Sequence, residues 1–130
     1  MSDDTIKLGH GSGGTLSRRL IEQVLLKYFE SPLLRELPDS ATIELHGGPV
    51  AFTTDSYVVD PVFFPGGDIG KLAVCGTVND LAVTGAIPHF ISCALILEEG
   101  FPQEDLRRVL DSMREAADGA GVEEGELLFR

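Results

Sequence analysis

Basic residues are scarce in this chain. Ten lysines and arginines stand against 21 aspartates and glutamates, a formal charge of −11 over 130 residues. That balance excludes nucleic-acid or anionic-membrane binding through a basic surface, which needs clustered Lys and Arg. A phosphate ligand would have to arrive with a divalent cation or rest on backbone N–H groups. Cysteine is sparse too. Cys75 and Cys93 have neither CxxC nor zinc-ligand spacing, and both lie in apolar segments. They read as buried free thiols in a reducing, cytoplasmic setting. His10, His46 and His89 are too scattered, and too unlike in context, for a histidine metal site. The longest apolar run, around Phe90 to Leu97, is too short to span a bilayer, and the polar, acidic start carries no signal-peptide pattern.

What is present suits one domain, since 43% hydrophobic residues are enough for a real core. The stretch Gly70 to Ala86 predicts a helix with Ala73, Gly76, Thr77, Asp80 and Thr84 on one surface and Val74, Val78, Leu81 and Gly85 on the next. Asp80, beside Asn79 and Thr77 and with no bulky neighbour, suits a hard cation or a phosphate-bound metal. The alternative is a solvated carboxylate on a helix whose small residues only permit tight packing. Upstream, Gly9-His10-Gly11-Ser12-Gly13-Gly14-Thr15 exposes backbone N–H groups ahead of an apolar-periodic helix from Thr15 to Glu30, closed by Ser31-Pro32. This loop is a candidate anion site, or else a terminal loop with no ligand. Its GxGxxG lettering lacks the buried strand and the βα unit that a dinucleotide site requires.

Ser40 to Leu45 and Pro49 to Val59 predict a hairpin turning at His46-Gly47-Gly48. Asp55 interrupts its second strand. Either the strand ends there, or the carboxylate faces a site, because an isolated charge is costly to bury. The prolines and glycines between Asp60 and Ile69 make a loop. Gly70-Lys71 is not a P-loop, since Pro65 stands where glycine is needed and Leu72 replaces the magnesium-holding hydroxyl. His89 to Leu97 predicts a strand buried on both faces. Pro102 then opens a helix striped by Leu106, Val109, Leu110, Met113, Ala116, Ala117 and Ala120, with Gly119 and Gly121 at its end.

The runs Thr53-Thr54-Asp55-Ser56-Tyr57-Val58-Val59 and Phe64 to Ala82, with His10-Gly11-Ser12-Gly13-Gly14 before them and Leu97-Glu98-Glu99-Gly100-Phe101-Pro102 after, resemble the HypE family of hydrogenase maturation proteins. That family sits in the superfamily of aminoimidazole ribonucleotide synthetase, thiamine-monophosphate kinase and selenophosphate synthetase. The match covers roughly residues 5 to 121. It implies an ATP-dependent dehydration of a protein thiocarboxamide to a thiocyanate, the source of cyanide ligands for nickel-iron hydrogenases. By the same resemblance Asp55 and Asp80 bind Mg2+, with Asn79 beside them. Gly11, Ser12, Gly13 and Gly14 lie against the ATP phosphates, and Gly67, Asp68 and Lys71 lie near the nucleotide.

The resemblance implies an α/β (α+β) fold of PurM type: a mixed sheet of about four strands, helices on one face, and sheets pairing in a homodimer. Residues 1–121 are expected to form an incomplete N-terminal ATP-binding domain and 122–130 a divergent tail. No second α/β domain and no terminal acceptor cysteine follow in this sequence, so turnover by this polypeptide alone is not expected. Implied partners are a carbamoyltransferase and other maturation proteins. Two other readings stay open, a non-catalytic dimerisation and docking module and a fragment of a small-molecule kinase.

Overall fold

A computed structural model of the chain describes residues 4–29, 31–34, 36–45, 47–122 and the backbone of 127–129. Its centre is a pair of helices. α4 (Gln103–Gly119) forms where Pro102 pre-sets the entry, and Glu104 and Asp105 sit on the positive end of its dipole. Leu106, Val109, Leu110, Met113 and Ala117 give it one buried stripe. The helix stops in a Schellman motif. The Val122 N–H bonds to the Ala117 carbonyl at 3.1 Å and the Gly121 N–H to that of Asp118 at 3.2 Å. Gly121 takes φ +75, a conformation that a Cβ would strain.

α3 (Ile69–Ala82) crosses α4 at close range. Gly70 makes this possible: an ideal Cβ there would lie 2.4 Å from the Val109 carbonyl oxygen and 2.8 Å from Met113 Cγ. Val74 seals the contact at 1% exposure. The sequence predicts a helix running to Ala86, yet it ends at Ala82. Gly85 at φ +77 lets Ala86 N–H reach the Leu81 carbonyl instead.

The first helical stretch follows the prediction in length but not in regularity. α1 (Thr15–Leu20) passes through a π turn (Ile21–Leu25) into α2 (Leu26–Tyr28). Leu20, Val24, Leu25 and Phe29 pack with the α4 stripe in one core that also takes Ile6, Ile91 and Val122.

The strands differ most from expectation. β1 (Phe63–Phe64) and β2 (Gly67–Asp68) form a small antiparallel hairpin inside the predicted loop, tied to α4 by Arg108 stacked 3.9 Å over the Phe63 ring. β3 (Ile91–Cys93) pairs in parallel with β4 (Leu127–Phe129), so the expected divergent tail supplies a strand. In place of one sheet of about four strands, the described residues contain two ladders of two strands.

The predicted hairpin over 40–45 and 49–59 has no ladder among the described residues. A strand exists only where main-chain partners meet it, and β propensity does not provide them; His46, in the predicted turn, lies outside the described residues. Nor is the segment 89–97 buried on both faces. Ile91, Cys93, Leu95 and Leu97 turn inward, while Ser92, Ala94 and Ile96 are exposed.

Candidate functional site

Burial alternates along the extended segment before β1: Thr53, Tyr57 and Val59 are half-buried, whereas Phe52, Thr54, Ser56 and Val58 are open. The two-residue period of extended chain puts Asp55 on the same side as Tyr57. That side meets α3. The Tyr57 hydroxyl donates to Asp55 Oδ2 at 3.3 Å. Its ring end occupies the space over Gly76, where an ideal Cβ would lie 2.2 Å from the phenolic oxygen. Gly76 is therefore the seat of Tyr57. Burial pushes the Tyr57 hydroxyl up from its usual range, and its hydrogen bond with Thr77 opposes that shift.

One helical turn beyond Gly76, Asp80 meets Asp55. Hydrogen bonding to Asp55 is the main cause that raises the Asp80 carboxyl above its ordinary value, with desolvation and the like charge of Asp55 adding to it. Asp80 also sits in the last turn of α3, at the negative end of the helix dipole. Two carboxylates and a helix C-terminus thus converge on one exposed spot. Every one of those groups favours a cation between them.

The donor set fits magnesium. This ion commonly takes one or two carboxylates, with substrate phosphates and water completing its octahedron. Among the described residues, no group of three or more His, Cys, Asp or Glu forms a closed protein cage. Asn79 neighbours Asp80 on the exposed end of the helix, and its carbonyl receives the Val83 N–H at 3.0 Å.

The other residues singled out in the sequence lie elsewhere. Asp68 is buried to 5% exposure at the opposite end of α3, about 18 Å from Asp80 at the helical rise of 1.5 Å per residue. It is the N-cap. Its Oδ1 accepts the Lys71 N–H at 2.9 Å and its Oδ2 accepts the Ser112 hydroxyl of α4. Lys71 Nζ donates to the Gly66 carbonyl at 3.2 Å, and Gly67 lies under the Phe64 ring.

The glycine loop is bonded largely to itself. Ser12 Oγ donates to the Gly9 carbonyl at 2.8 Å, and the Gly13 N–H to Ser17 Oγ at 2.9 Å. Gly11 and Gly13 face open space, and Gly14 starts α1 without a side-chain cap. Among the described residues, no hydrogen bond or ion pair joins this loop to Asp55 or Asp80.

Two findings were not read from the sequence. Tyr57 is the contact that orders Asp55, and the shared period of Asp55 and Tyr57 above the small side chains of Gly76 and Thr77 was the available signal. Ser112 is the second partner of Asp68, and nothing local announces a bond across 44 positions. The cysteines also depart from expectation. Cys75 is exposed, because the helical period turns it away from buried Val74. Cys93 is half-buried, with its thiol pushed up to about 11 by burial.

Helices packed around short strands, with an acidic pair at the C-terminal end of one helix, define an α/β domain with a candidate cation site. The chain belongs to the family of AIR synthase related proteins, whose N-terminal domain matches residues 38–124, and its fold is the PurM-like α/β fold. It is 52% identical over 124 residues to the carbamoyl dehydratase HypE of Escherichia coli, covering 92% of this chain and 37% of that protein. The crystal structure of the hydrogenase maturation protein HypE in complex with ATP superposes with a TM-score of 0.85 at 50% identity, covering 97% of this chain and 38% of that one. A crystal structure of a HypE–HypF complex aligns at TM-score 0.55 and 46% identity, over 85% of this chain and 34% of that one. The chain therefore spans little more than a third of the proteins it resembles. No helix among the described residues is long and apolar enough to cross a membrane.

Proposed function

We propose that the chain is the ATP- and Mg2+-binding part of a HypE-type carbamoyl dehydratase, acting in the cytoplasm in hydrogenase maturation. The observation that carries this reading is the meeting of Asp55 and Asp80 beside a helix C-terminus, in a domain half identical to a protein crystallised with ATP. Asp55 and Asp80 would hold the metal, which when bound would neutralise charge on the triphosphate. Tyr57 keeps Asp55 aimed at it. Gly11, Ser12, Gly13 and Gly14 offer main-chain contacts to the phosphates, and Asn79 lies close to the metal. Gly67 and Lys71 stand near the nucleotide, while Asp68 acts through its cap on α3. The reaction served is the dehydration of a protein thiocarboxamide to a thiocyanate that supplies cyanide ligands.

Calorimetric titration with Mg2+ and a non-hydrolysable ATP analogue tests this. Asp55→Asn and Asp80→Asn are each expected to weaken binding about tenfold or more, the loss of one charged metal ligand. Binding equal to the parent in both variants overturns the site.

A second reading, pairing with another copy and docking to other maturation proteins such as a carbamoyltransferase, is favoured by one specific observation. The outward faces of the unladdered segments expose Phe52 at 86%, Val58 at 96% and Ile96 at 102%. The unladdered main chain of these segments is a template for strand pairing, and the sheets of two copies would pair in a homodimer. Sedimentation of the parent against Phe52→Lys and Val58→Lys decides it: the parent is expected to associate and the variants to run as monomers.

A further inference from the structure

Acidic residues outnumber basic ones two to one in this chain, yet one cleft has no carboxylate among the described residues that line it. It encloses about 280 Å³ between the first helical stretch and the start of α4. His10, Arg19 and Gln23 line it from one side, Gln103 and Arg107 from the other, over the apolar side chains of Leu20 and Val24. The two arginines are unusual within the fold. Arg18, Arg108 and Arg114 each have a carboxylate on their own helix, Glu22 at 2.7 Å, Asp105 at 3.1 Å and Asp118 at 3.2 Å. Among the described residues, Arg19 and Arg107 make no ion pair. Two arginines from separate elements therefore line one small space, and among the described residues neither is paired with a carboxylate.

The third nitrogen group adds to this polarity. His10 Nδ1 accepts the Lys7 N–H at 2.8 Å, so in the neutral ring the proton sits on Nε2, a donor. Guanidinium, imidazole N–H and amide donors over an aliphatic floor match one chemical class: a small oxyanion attached to an apolar body. Arginine's planar fork binds carboxylate and phosphate oxygens alike. We infer that the cleft between the first helical stretch and α4 binds a small organic oxyanion through Arg19 and Arg107. This goes beyond the nucleotide reading, because neither Asp55 nor Asp80 lines the cleft.

The test is titration of the 15N-labelled 130-residue chain at low salt, separately with butyrate and with ethyl phosphate, observing the arginine Nε–H and glutamine side-chain amide signals. Saturable shifts at Arg19 and Arg107 are expected for one probe, and which probe saturates tells a carboxylate ligand from a phosphate one. Arg19→Gln and Arg107→Gln, at positions exposed or half-buried, should keep the parent melting temperature and weaken that binding about tenfold each, while Arg18→Gln leaves it unchanged. Shifts that never saturate, or that survive both substitutions, overturn the site. The Mg2+–ATP-analogue titration separates this from the previous proposal. Asp80→Asn should leave oxyanion binding intact, and Arg19→Gln and Arg107→Gln should leave nucleotide binding intact. Loss of nucleotide binding in the arginine variants would assign the cleft to the nucleotide and overturn a separate site.

Discussion

Replacing Gly70 with alanine places a methyl group in the tightest contact of the fold. The new carbon would start 2.4 Å from the Val109 carbonyl, 2.8 Å from Met113 Cγ and 3.1 Å from Val109 Cγ1. The nearest of these atoms is backbone in the middle of α4, so it cannot swing aside. Relaxing that contact to the roughly 3.5 Å of an unstrained pair moves α3 and α4 apart by about 1 Å. Separation loosens Val74, Val109 and Met113 together, all 5% exposed or less. Overpacking of this kind costs up to about 3 kcal/mol, and the better helix propensity of alanine returns up to about 1 kcal/mol. A net loss of about 2 kcal/mol lowers the melting temperature of a chain this size by about 8 °C. Differential scanning calorimetry reads it directly. The contrast is Gly76→Ala, where the obstacle is the tip of a flexible side chain, the Tyr57 hydroxyl. There the melting temperature should hold or rise while cation affinity falls, because Tyr57 must leave Asp55. A melting temperature for Gly70→Ala at or above the parent value would refute the packing argument.

Two further predictions follow from the polar groups. Asp80 has a raised carboxyl in the folded chain, so the native state holds its proton to higher pH than the unfolded one. Its contribution to stability is present in acid and is lost as pH rises through the raised value. In metal-free buffer, Asp80→Asn should melt higher than the parent near neutral pH and lose that advantage in acid, seen in thermal melts by circular dichroism; a parent more stable than Asp80→Asn near neutral pH contradicts it. Ser112→Ala strips one partner from the buried Asp68 carboxylate and should cost about 1–3 kcal/mol by urea unfolding; an unchanged midpoint would show that the bond contributes nothing.

Each member of the acidic pair stands out locally, one carboxylate on a small-residue helix surface and one interrupting a β-prone run, but both signals left a solvent-facing alternative open and only the family resemblance joined the two. The stripe of α4 was legible, since 3.6-residue periodicity is a property of one segment. Ladder formation was not. Whether 40–45 and 49–59 become strands depends on which main chain lies alongside, and no residue within them encodes that. The inward and outward alternation from Ile91 to Leu97 was hidden for a related reason, because Ala94 and Ile96 are apolar although they are exposed. The resemblance set Asp68 near the nucleotide; its cap on the Lys71 N–H is a local feature of the helix start, whereas its Ser112 bond joins positions 44 apart and has no local signal.

The seating of Tyr57 on Gly76 ties together two positions that belong to different segments. Neither can change size freely: a bulkier residue in the helix ejects the ring, and a smaller side chain in the extended segment leaves a hole above the glycine. The two therefore act as a single steric unit, and the aim of the neighbouring carboxylate rests on that unit staying whole.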